Sequence, residues 1–112
     1  MFAITDEFMR EMLQKTKNYS IVILKAGSNI NQSGVEKTIW EHGRRNFELR
    51  EKGILSILCP IPNESNLNGI GIFNADENET KKIMDEDPGV KAGVFIYEIH
   101  SCCGFPGDSL QQ

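Results

Sequence analysis

Apolar positions fall in short runs along this chain, and their spacing switches between helix and strand periods. Thr5 precedes a stretch in which Phe8, Met9, Met12 and Leu13 share one helical face, with Asp6 and Glu7 in the first turn and Lys15 and Lys17 at the end. That order suits a short helix: a threonine cap, acids at the positive end of the helix dipole, bases at the negative end. Ile4 and Met9 are spaced for a hydrophobic staple. Tyr19 to Lys25 then reads as a buried strand bounded by Ala26-Gly27. After a polar loop over 28–33, Ser33 and Glu36 predict a capping box for a helix that runs to about Lys52 and stops at Gly53. Its core-facing stripe is Val35, Ile39, His42, Asn46 and Leu49, with Trp40 and Phe47 on the adjoining edge.

Ile54 to Cys59 forms a second strand pattern, ended by Pro60 and Pro62, and a turn-rich loop follows over 61–68. In the third, Gly69 to Asn74, small residues alternate with Ile70 and Ile72, so one side lies close to another backbone or to a ligand. Asp76 and Glu79 open a short helix ending near Met84, and Asp87-Pro88 breaks it. Gly93 to His100 is the fourth strand. The order β-α-β-β-α-β predicts an α+β, ferredoxin-like fold: a four-stranded antiparallel sheet with both helices on one face. Residues 1–17 become an N-terminal helical extension, 19–103 the ferredoxin-like domain, and 104–112 a C-terminal tail whose Gly and Pro cannot continue a central strand. The second sheet face would be apolar and bare, so a second copy of the chain, or the N-terminal helix, is expected to cover it.

Composition narrows the function. The chain has 112 residues, 39% apolar and 25% charged, enough for one folded domain with a modest core. Sixteen acidic side chains against 12 basic ones leave a charge of −4, which argues against a general nucleic-acid binder. That charge is local: 76–87 holds six acids and two lysines, and the remainder balances. No apolar run approaches the ~20 residues a membrane span needs. Asp6, Glu7 and Glu11 interrupt the stretch where a secretion signal would be apolar, so no leader is expected. Three cysteines, two of them adjacent at Cys102 and Cys103, fit reduced thiols in a cytoplasmic protein.

The chain lacks a dinucleotide glycine fingerprint, a P-loop, a nucleophile elbow and paired C-x-x-C motifs, and neither His42 nor His100 has a partner at zinc-ligand spacing. No metal or cofactor is therefore expected. His42 occupies a core-facing position where leucine would pack better; it is either a buried neutral histidine, bonded to backbone or tucked under Trp40, or a site residue. Asp87 is either a turn residue in a solvated charged run or a carboxylate whose acidic surroundings stabilise a nearby imidazolium. Cys59 is a small apolar filler before Pro60, or a thiolate nucleophile if its strand ends at a cleft near His42. Trp40 and Phe95 are core or interface aromatics, or stack on a planar ligand. Cys102 and His100 share one strand face and Cys103 the other, so a complete metal site there would need a partner chain. Arg44 and Arg45 belong to a solvated face within reach of Glu41 and Glu48, with anion clamping as the alternative.

Three segments resemble the YCII (YciI-like) family of the dimeric α/β-barrel superfamily, over about Tyr19 to Cys102. Asp87-Pro88-Gly89-Val90-Lys91-Ala92-Gly93-Val94-Phe95 is similar to that family's D-P-x-x-x-A-G-L/V segment before the last strand. His42 followed by Gly53-Ile54-Leu55 and Pro60 is similar to its helix histidine, Gly-x-Leu strand and G-P turn, and Asn74-Ala75-Asp76-Glu77 to the opening of its second helix. The resemblance implies a homodimer closed through the sheets and a His–Asp pair in a small-molecule cleft, at His42 and Asp87. It also implies metal-independent acid–base chemistry of lyase, isomerase or dehalogenation type on small, aromatic or enol-bearing substrates. The chain departs from the pattern at Ile39, where many members have arginine, and at Cys59, where they have glycine. The same fold would also serve a non-catalytic ligand-binding or interaction module.

Overall fold

Burial alternates along β1, Lys17–Ala26: Ser20, Val22 and Leu24 are buried, while Tyr19, Ile21, Ile23 and Lys25 are only half-buried. One side of this strand is therefore packed by protein and the other is not. The computed structural model describes residues 3–62 and 66–112, so positions 63–65 of the predicted loop lie outside the described residues. Around β1 stand β2 (Leu55–Pro60), β3 (Leu67–Phe73) and β4 (Phe95–Gly104), in the spatial order β2-β3-β1-β4 with every neighbour antiparallel. The helices are α1 (Asp6–Leu13), α2 (Val35–Glu51), α3 (Glu77–Asp85) and α4 (Pro88–Lys91). This is the predicted α+β, ferredoxin-like arrangement.

The core gathers Val22, Leu24, Leu55, Phe73, Val94 and Phe95 with Leu49 of α2 and Met84 of α3, so both helices cover the same sheet face. Two register slips bend that face. Between Leu24 and Lys25 the β1–β3 pairing skips Asn68, and between Leu55 and Ile57 the β2–β3 pairing skips Ser56. Each leaves an extra residue out of the ladder, which is the mark of a bulge. Across the other face the register lines up Ile57, Ile72 and Ile21 in one row and Cys59, Ile70 and Ile23 in the next. Lys25 and Glu98 pair at 2.6 Å beside them. The β1–β3–β2 part of that face is apolar, while Lys25, Glu98 and His100 give its β4 side charge; among the described residues α2 and α3 pack on the opposite face, and α1 has no buried residue.

Several local expectations change. The capping box at Ser33 and Glu36 does not form. The N-cap of α2 is Gly34 at φ 86°, a left-handed conformation that glycine adopts without steric cost, and no side chain caps the helix. Thr5 does cap α1, accepting from the Phe8 amide at 3.1 Å, but Ile4 and Met9 stay exposed, so the staple seals nothing. On the predicted core stripe of α2 only His42 and Leu49 are buried. The break at Asp87-Pro88 is also the start of α4: Asp87 is its N-cap and Pro88 its first residue, positions both residues favour. β1 begins at Lys17 and β4 continues to Gly104, taking in Cys102 and Cys103. As an edge strand, β4 can run on beside the start of β1 until the Gly-Phe-Pro segment ends it.

Candidate functional site

His42 points from the inner face of α2 toward α4, where the chain turns back into β4. Its partner is prepared by the backbone there. Asp87 Oδ2 accepts from the Gly89 amide at 2.9 Å and the Val90 amide at 3.2 Å, which fixes the carboxylate as the cap of α4. His42 Nδ1 lies 2.8 Å from both Asp87 oxygens. Asp87 is 1% exposed and His42 8%. Burial pushes the Asp87 carboxyl up, but the His42 hydrogen bond and charge, with the two amides, outweigh it and hold it below the ordinary carboxylate value. An ionised Asp87 only accepts, so Nδ1 carries a proton and donates it.

The rest of the pocket holds the ring in place. Phe95 packs on it, centroids 4.7 Å apart and planes inclined at 47°. Gly89 leaves room for both: a Cβ there would lie 2.6 Å from Phe95 Cδ2 and 3.0 Å from Asp87 Oδ2. Asn46, one turn after His42, has its amide nitrogen 3.2 Å from Nε2. With a proton on Nδ1, Nε2 of the neutral ring accepts that bond. When Nε2 gains a proton, the amide must rotate to present its oxygen. Arg45 Nη1 stands 3.7 Å from Asp87 Oδ1, and its Nη2 stands 4.0 Å from Glu86, so a guanidinium lies behind the pair.

His42 and Asn46 open onto a cleft of about 330 Å³ between α2 and the sheet. Gly69 and Gly71 put no side chain on its floor, Phe73 and Phe95 stand in its walls, and Asn68 borders it at the bulge of β3. Cys59 lines the rim of the cleft where β2 ends, paired in register with Ile70, which lines it too. Among the described residues its thiol makes no hydrogen bond or ion pair with His42, whose ring nitrogens meet Asp87 and Asn46. The expectation for Trp40 is corrected. It lies about 200° round the helix from His42, is 69% exposed, and does not line the cleft. Phe95 does line it, and stacks on His42.

Elsewhere the cysteines stay apart from this site. All three are free, and Cys103 sits beside Asn18, Sγ to Oδ1 3.6 Å. Burial and the neighbouring Cys103 push the Cys102 thiol up, away from a reactive thiolate. No group of three or more His, Cys, Asp and Glu placed to hold a metal occurs among the described residues. Arg45, expected on a solvated face, and Asn68, expected in a loop, were not anticipated as neighbours of the site. Arg45 carried a usable signal, being one helical turn from His42 on the same side. No protein-family model matches the chain, and no curated protein does either.

Proposed function

We propose that the chain is a small-molecule enzyme of the YCII type in which His42 Nε2 takes up and returns a proton, while Asp87 holds the ring and stabilises its charged form. The observation that supports this is Nδ1 at 2.8 Å from a buried carboxylate with the opposite nitrogen at the cleft. Nδ1–H donation to Asp87 leaves the lone pair on Nε2, which is the form a general base needs. In an isomerisation the proton leaves one atom of the substrate for Nε2 and returns to another. In an elimination it stays on Nε2 as the leaving group departs with its electron pair, and is later lost to water. Phe95 and Asn46 position the ring.

The open isoleucine face of the sheet fits a second copy, so we read the working form as a homodimer closed through the sheets. Three free thiols suit the cytoplasm. A non-catalytic ligand-binding module is the second reading. It is favoured by the low exposure of His42 and by the Asn46 amide already within reach of Nε2.

Proton exchange separates the two. A panel of small lactones, enols and phenols is incubated with the protein in heavy water, and deuterium entry at carbon is followed by NMR. Exchange by the parent and not by His42→Ala is the expected result. Ligands that bind the parent but exchange no faster with it than with His42→Ala would leave the binding-module reading in its place.

A further inference from the structure

Among the described residues, no Asp, Glu, Lys or Arg lines the cleft. Its polar side chains are His42 and Asn46 on α2 and Asn68 on β3, apart from the rim thiol of Cys59. Among the described residues, the charges that contact the histidine or its partner stand behind it: Asp87 is almost fully buried, and Arg45 is directed to Asp87 and Glu86. A carboxylate or ammonium entering the cleft would therefore lose its water with no opposite charge to meet among the described residues, which is strongly unfavourable. A protonated His42 does not alter this, because Asp87 neutralises it at 2.8 Å.

Asn68 supplies the second polar feature. It is the extra residue at the β1–β3 register slip, and bulges of this kind re-aim a side chain. Its Oδ1 is buried and has no hydrogen-bond partner among the described residues. A buried acceptor left unpaired is costly; a turn of the Asn68 side chain that presents this oxygen to the cleft would let a donor on a ligand satisfy it. His42 packs on Phe95 of β4, at one edge of the sheet, whereas Asn68 belongs to β3, beside the opposite edge strand. The cleft thus has a hydrogen-bonding group toward each side, with the flat Gly69 and Gly71 floor between. Its volume of about 330 Å³ falls at the small end of ligand sites, which run from about 300 to 1,000 Å³.

We infer that the cleft takes an uncharged, mainly apolar small molecule, with one hydrogen-bonding group at His42 and Asn46 and an O–H or N–H donor at Asn68 Oδ1. The assignment rests on the acid–base reading only in making the His42 end the reacting one. Calorimetry at neutral pH with para-hydroxybenzamide and para-hydroxybenzoate, alike in shape and different in charge, tests it on the parent protein alone. The amide is expected to bind at least about tenfold more tightly than the carboxylate, and Asn68→Leu, checked for folding by circular dichroism, to weaken it about tenfold.

Equal or tighter binding of the carboxylate overturns the inference, and so does failure of both probes to bind at millimolar concentration. Unchanged amide affinity in a folded Asn68→Leu protein overturns the placement of the donor. Selective binding of the amide with no His42-dependent exchange would support this inference while removing the acid–base reading. Tight carboxylate binding with exchange intact would do the reverse.

Discussion

Replacing Asp87 by asparagine tests the core of the argument, because it removes one charge and leaves the shape. The asparagine oxygen can still accept from the Gly89 and Val90 amides, so the cap of α4 survives. Its nitrogen then replaces Oδ1 at 2.8 Å from His42 Nδ1 and competes there with the retained oxygen, which lies equally close and can still accept. Donation from the new nitrogen favours the tautomer with the proton on Nε2 and the lone pair on Nδ1, which is the expected outcome. The lone pair at the cleft is lost, so proton uptake by Nε2 should fail even though the pocket is filled. A hydrogen bond to a charged group contributes about 1.5–3 kcal/mol, and Asp87→Asn should cost about that much. Asp87→Ala removes the cap as well and leaves the buried Nδ1–H without an acceptor, so about 3–5 kcal/mol is expected.

Urea denaturation at neutral pH measures both costs, and nitrogen NMR of the His42 ring reads the tautomer. The sign of the pH dependence follows from the direction of the Asp87 shift. Its folded value lies below the unfolded one, so its contribution is complete above the ordinary aspartate value of about 3.9 and is lost as pH falls through the folded value. The gap between parent and Asp87→Asn should therefore narrow on acidification below about pH 4. An asparagine variant as stable as the parent at neutral pH, with the proton still on Nδ1, would refute the reasoning.

Gly89→Ala should destabilise by about 1–3 kcal/mol through overpacking, because the new methyl group meets Phe95 and Asp87; displaced His42 ring resonances would locate the strain. Leu55→Ala, at a position 1% exposed beneath the cleft, is expected to cost about 2–5 kcal/mol in denaturation. Ile70→Lys places a cation on the open sheet face, and sedimentation should show a folded monomer where the parent is a dimer; a parent that sediments as a stable monomer at micromolar concentration would contradict the dimer reading. Thr5→Ala should fray α1, seen as a small loss of helical circular dichroism, and leave global stability within about 0.5 kcal/mol, because α1 buries nothing.

Period and punctuation carried the fold. Strands read from β-branched runs and helices from apolar stripes reappear as β1 to β4 and α1 to α3, because both signals are local. What was less legible depended on partners. Ser33 looked like a cap, but where α2 begins depends on how the preceding loop arrives, and Gly34 makes the left-handed entry. Trp40 was read on the edge adjoining the His42 stripe, yet two residues along a helix change direction by about 200°. Asn68 could not be found from pattern at all, since a bulge is a mismatch between two strands and neither strand encodes it alone.

Asp87 lies between these cases. Asp followed by Pro is a strong local signature for a helix start, and that local role explains its position against His42. A carboxylate that must cap α4 is held against two amides, and its remaining valence is turned to whatever α2 places opposite. The α2 residue that faces it is the one polar member of the stripe that is buried. One helix cap and one helix face, each readable in isolation, meet because β4 must return beside β1, and the pair follows from the topology.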